Sequence, residues 1–184
     1  MRWQRLFADL EAQAEALAAS EFEAEVAERT RIEVGRLRLV DRLRPTTGHA
    51  VQVTCLGAGL VCGRLDQVGA DWLLLTEDPA RELLVCLHAV TSLLGMGALS
   101  ATPGSEGQVG SRLDLRHALR GLVRDRAPVR VVLVDGGTVA GTLDRVGADF
   151  VELAEHPQGE PRRATSVRQV RTIPIASLAA VRAW

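Results

Sequence analysis

Lysine and tyrosine are both absent from this chain, and the two absences exclude different things. Without tyrosine, and with aromatics at 3%, there is little on which the bases of a single strand could stack. Without lysine, all 22 positive side chains are arginine, a skew that fits GC-rich coding better than a function. A net charge of −1 rules out a general basic attraction to nucleic acid, so any such affinity has to come from a local patch. Cysteine is scarce and odd in number: Cys55, Cys62 and Cys86 form no disulfide framework and fit a reducing cytoplasm. No apolar run approaches the roughly 20 residues of a membrane helix. Asp9, Glu11 and Glu15 interrupt the stretch an export signal would need. A P-loop, a G-x-G-x-x-G after a strand and a Ser/His/Asp set are also missing, so no enzyme, cofactor or membrane partner is expected.

What the chain does contain is a repeat. Val51 to Glu77 aligns without gaps on Val129 to Glu155, with 13 of 27 positions identical. The shared residues include Gly59/Gly137, Gly63/Gly141, Asp66/Asp144 and the blocks Val68–Asp71 and Val146–Asp149, and Trp72 answers Phe150. Beyond a loop of different length, the segment from Val85 matches the one from Ile173. Alternation at Val51, Val53 and Cys55, and at Val129, Val131 and Leu133, predicts strands with one buried face. Glycines follow as turn signals, and Gly63 or Gly141 marks a bend inside the next strand. Five short, bent strands per copy predict a small closed barrel.

A helix is expected before each barrel. Leu115, Ala118, Leu119 and Leu122 share one face between Ser111 and Arg124, while Leu37, Val40 and Leu43 mark the equivalent segment upstream. The glycine-rich stretch 95–110 reads as a flexible linker. The first 35 residues read as a helical arm with an apolar stripe at Trp3, Phe7, Leu10, Ala14 and Leu17. Ser20 and Glu23 resemble a capping box that opens a second helix, with strand character at Ile32–Val34 as an alternative. Asp9 to Glu28 hold seven acids and no base, and Arg29 to Arg44 hold six arginines against two acids. A segment so polarised would pack on a partner or on the barrels.

The helix, the bent five-strand pattern and the motif Gly136–x4–Gly141–x–Leu143 resemble the Sm-like family over 37–94 and 111–183. The resemblance implies an α+β, mainly β fold: two tandem Sm-like (SH3-like) five-stranded barrels, each preceded by a helix, plus the N-terminal arm. The domains would be 1–35, 36–94, the linker 95–110, and 111–184. Gly69 or Gly147 stands where the family places a turn Asp, and Leu or Val stands at its base-reading position. Thr91-Ser92 and Ala179-Ala180 replace its Arg-Gly pair. The family's RNA pocket is therefore not carried over, and the fold alone decides no function.

Arginines supply the candidate site. Arg112, Arg116, Arg120 and Arg124 recur every four residues, and Arg162, Arg163, Arg168 and Arg171 crowd the long loop of the second repeat. Guanidinium groups in line suit a phosphate backbone, RNA or DNA. The competing reading is a solvated face paired with acids. Cys55, Cys62, Cys86 and His88 have zinc-binding chemistry, but the sister repeat puts Leu133, Ala140 and Pro174 at the three cysteine positions, which makes them packing positions. Asp66/Asp144 and Asp71/Asp149 sit by turns and read as local backbone acceptors. Two functions stay open. One is a non-catalytic, nucleic-acid-associated regulatory protein. The other is a protein–protein scaffold assembling through strand edges or the N-terminal helices, as an intramolecular pseudo-dimer or a homo-oligomer.

Overall fold

The computed structural model describes residues 2–78, 81–105, 113–158, 162–163 and 165–183. The chain divides into two compact units, Met1–Arg38 and Leu39–Trp184.

The first unit is essentially one helix, α1 (Arg2–Arg36). Proline is absent and glycine does not occur before Gly35, so nothing breaks the hydrogen-bond ladder. The expected second helix at Ser20 does not start there, because Ser20 and Glu23 sit inside the continuous helix, and Ile32–Val34 is helical too. Acids N-terminal to arginines support its last turns, where Glu25–Arg29 (2.6 Å), Glu28–Arg31 (3.1 Å) and Glu33–Arg36 (3.2 Å) pair along the surface.

In the second unit α2 (Leu39–Leu43) leads into the first five strands: β1 (Ala50–Cys55), β2 (Gly59–Val68), β3 (Trp72–Asp78), β4 (Arg81–Cys86) and β5 (Val90–Leu94). After α3 (Leu115–Asp125) come β6 (Pro128–Leu133), β7 (Thr138–Val146), β8 (Phe150–Glu155), β9 (Gln169–Pro174) and β10 (Leu178–Ala183). The strand alternation read from the sequence is present: Val51, Val53 and Cys55 are buried in β1, as are Val129 and Val131 in β6.

The closed barrels are not. All ten strands form one open antiparallel sheet in the order β5-β1-β2-β3-β4-β10-β6-β7-β8-β9. A barrel would need β4 to return to β5 within its own repeat. Instead β4 pairs with β10 of the other repeat, Val85 opposite Ala180 and Leu83 opposite Arg182. Residue alternation reveals which face of a strand is buried, but not which neighbour takes its hydrogen bonds. The pairing leaves β5 and β9 as the edges.

Packing follows the same exchange. One apolar cluster joins Trp72, Leu84 and Cys86 of the first repeat to Leu119, Val131, Leu143 and Leu153 of the second. The other joins Val53, Leu65 and Leu75 to Ala180. The turns also meet: a side chain on Gly57, whose φ is +69°, would run into the carbonyl oxygen of Leu133.

The expected flexible linker is held at its start. Arg42 donates to the carbonyls of Gly97 (2.8 Å), Ala98 (2.8 Å) and Leu99 (3.0 Å), and Ala101 N–H donates to Asp41 O. One arginine of the basic run thus serves the chain's own backbone.

Candidate functional site

Helix α3 begins on two carboxylates. Asp114 is its N-cap and accepts the His117 amide at 2.9 Å, and Asp71, from the β2–β3 turn, accepts the Leu115 amide at 2.7 Å. Trp72, the next residue, donates its indole N–H to Leu113 O at 2.9 Å. The turn of the first repeat therefore anchors the helix of the second. Burial pushes the Asp114 carboxyl up, but the Arg116 guanidinium, the His117 amide and Arg120 together hold it below its ordinary value.

Leu115 and Leu119 face inward and are fully buried, so the arginines fall on the outer face. Arg116 is held by Asp114 at 2.7 Å, and Arg124 lies 3.3 Å from Asp125. Arg120 is exposed, and Arg112 lies outside the described residues. In the loop of the second repeat Arg162 binds Asp144 (2.6 Å), while Arg171, expected in that loop, lies on β9 and binds Glu155. Arg163 and Arg168 are exposed. Arg171 lowers the Glu155 carboxyl, burial opposes it, and Gln169 adds to the lowering. The two arginine groups lie on different elements, and four of the seven described members already face an acid.

A feature that the sequence did not point to lies under α3. A groove of about 540 Å³ runs between the helix and the outer face of four adjacent strands, floored by Trp72, Leu74, Leu84 and Val181. His117, Arg120 and Arg124 stand on its helix wall, and Gln67 and Glu82 on the sheet side. The volume is within the range of small-molecule sites. Its signal was divided between the repeats, since Trp72, Leu74 and Leu84 come from the first and α3 with Val181 from the second.

The other candidate chemistry is dispersed. Cys55 and Cys86 are buried and Cys62 is exposed. Desolvation raises the Cys55 thiol to about 11 and, with help from Asp71 and Cys55, the Cys86 thiol to about 12. Among the described residues no three His, Cys, Asp or Glu side chains gather as metal ligands would. Asp66 pairs with Arg64 at 2.9 Å. The buried His156 accepts from the Thr142 hydroxyl at 2.8 Å and donates through Nδ1 to Pro157 O at 3.0 Å, so its ring is satisfied. No described helix is long and apolar enough to cross a membrane.

No family model and no curated protein matches this chain.

Proposed function

We propose that this is a non-catalytic cytoplasmic assembly protein, a scaffold whose docking element is α1. One observation carries the reading: α1 buries none of its large apolar side chains. Trp3, Leu6, Phe7, Leu10, Leu17, Phe22, Val26, Ile32 and Val34 are all exposed. A helix of this length is stable in water chiefly when its apolar face is covered, and exposed apolar patches mark interaction surfaces. Trp3, Phe7, Leu10, Ala14 and Leu17 follow a spacing of four and three, the pattern of a helix laid against another surface. The strand edges serve less well. β9 carries Arg171 and Pro174, devices that discourage edge pairing, and β5 is a short strand with Thr91 and Ser92 exposed.

The reading is tested in cells with a photo-crosslinking amino acid at Phe7 or Leu10, on the apolar stripe, and at Ala12, which the helical period places on the opposite face. Protein adducts are expected from Phe7 and Leu10 and not from Ala12. Equal yields from both faces, or none, overturn it.

Nucleic-acid binding is a second reading, favoured by one observation: Arg116, Arg120 and Arg124 succeed one another along the outside of α3. RNA and DNA binding followed across a salt series should then show a steep slope that flattens when all three are changed to Ala. Absence of binding at low salt removes this reading.

A further inference from the structure

We infer that Thr165 is a phosphorylation site, modified by a protein kinase that recognises the two arginines before it, Arg162 and Arg163. The inference goes beyond the docking role of α1 and concerns the connection between β8 and β9.

The fold does not require that connection to be long, as the two repeats show by comparison. β3 and β4 are adjacent antiparallel strands joined by two residues. Their counterparts β8 and β9, paired in the same way, are joined by the thirteen residues 156–168. Hairpins close with about two to five residues, and longer connections on a compact body commonly carry function. The added length holds three arginines, Arg162, Arg163 and Arg168, against the single acid Glu160. It also holds adjacent hydroxyls at Thr165 and Ser166.

Spacing and exposure pick out the acceptor. Arg162 and Arg163 stand three and two positions before Thr165, the placement that the acidic cleft of an arginine-directed kinase reads in its substrate. Arg162, Arg163 and Thr165 are exposed, whereas Ser166 is half-buried. The amides of Ser166 and Val167 both donate to Arg163 O, at 3.0 and 3.1 Å, so the chain turns tightly at the acceptor. Arg162 pairs with Asp144 at 2.6 Å, but the pair lies at the surface, where ion pairs are weak enough to yield to a competing acid. Thr47 is the contrasting case. Arg42 and Arg44 precede it by five and three positions, yet Arg42 is bound to the carbonyls of residues 97–99 and Arg44 to the buried Asp41 at 3.3 Å. The reaction is phosphoryl transfer from ATP. Thr165 Oγ1 bonds to the γ-phosphorus, the bond from that phosphorus to the bridging oxygen breaks, ADP leaves, and the hydroxyl proton passes to the kinase's catalytic aspartate. The new phosphate has Arg163 and Arg168 as sequence neighbours, and guanidinium groups stabilise it.

The test uses the full chain, with substitutions confined to this connection so that folding is spared. The chain is incubated with Mg-ATP and the catalytic subunit of the cyclic-AMP-dependent protein kinase, an arginine-directed enzyme. It is expected to gain one phosphoryl group, placed on Thr165 by fragment mass spectrometry. Thr165→Ala should abolish the gain, Ser166→Ala should leave it, and R162A/R163A should slow it by at least about tenfold. The chain recovered from its own cells should carry the same group on Thr165, and R162A/R163A expressed there should lack it. Phosphate on Ser166 in place of Thr165 overturns the choice of acceptor. Labelling of R162A/R163A at the wild-type rate overturns recognition through the arginines. A chain that the probe kinase labels but that stays unmodified in its own cells, growing or starved, overturns the inference, as does a chain labelled in neither setting.

Discussion

Gly141→Ala is expected to destabilise the second unit by about 3 kcal/mol or more, because the new methyl would lie 2.2 Å from the carbonyl oxygen of Ala154 on the neighbouring strand. Neither partner can yield by turning a side chain. Gly141 lies in β7, opposite Val129 on β6 and Glu155 on β8, so relief requires β7 and β8 to part. Backbone hydrogen bonds would be lost with the contact, and unpaired buried amides add to the penalty. The equivalent glycine in the first repeat is less tight: a methyl at Gly63 would meet Thr76 O at 2.8 Å, and Gly63→Ala should cost about 1–2 kcal/mol. Gly121→Ala, in the middle of α3 with open space above it, should instead stabilise by about 1 kcal/mol through helix propensity alone. Urea unfolding of the three variants checks the order. A Gly141→Ala chain within roughly 0.5 kcal/mol of the wild type, the scatter of a neutral surface change, would show that the strands do not hold this approach.

Ala180→Asp should have an effect of about 3–5 kcal/mol, the usual penalty for an uncompensated buried charge. Ala180 is fully buried on β10, opposite Val85 of β4, yet its side chain belongs to the apolar cluster of the first repeat. Arg182, two residues further along β10, is already paired with Glu77 at 2.6 Å. Because both clusters borrow residues across the same junction, the damage should spread to both repeats. Hydrogen exchange is expected to lose protection in β2 and β7 together, in one cooperative unit. Loss confined to β6–β9 would mean that the repeats stand as separate bodies.

Much of this molecule is written locally. The repeat, the strand boundaries near Val51 and Val129, the aromatic pair Trp72/Phe150 and the helix carrying Leu115 and Leu119 follow from residue pattern alone, because alternation and helical spacing act over a few neighbours. The pairing of turn residue and ring repeats faithfully too: a side chain on Gly69 would strike Trp72, and one on Gly147 would strike Phe150. The candidate site was less legible. The periodic arginines could be counted, but their partners Asp114, Asp144 and Glu155 are set by capping and by cross-strand neighbours. Arg42 looked like part of a basic patch and is a clamp on residues 97–99.

Residue pattern alone was enough for two homologous five-strand units and a helical N-terminal arm with an apolar stripe. That β4 gives its hydrogen bonds to β10 instead of closing a barrel emerges in three dimensions alone. The physical reason is that a strand edge offers the same backbone donors and acceptors to every comer, so the choice of neighbour is made by the cores that the pairing unites. That choice joins ten strands into one sheet, and it brings Trp72, Leu74 and Leu84 of the first repeat under α3 of the second, where they line the groove with Val181.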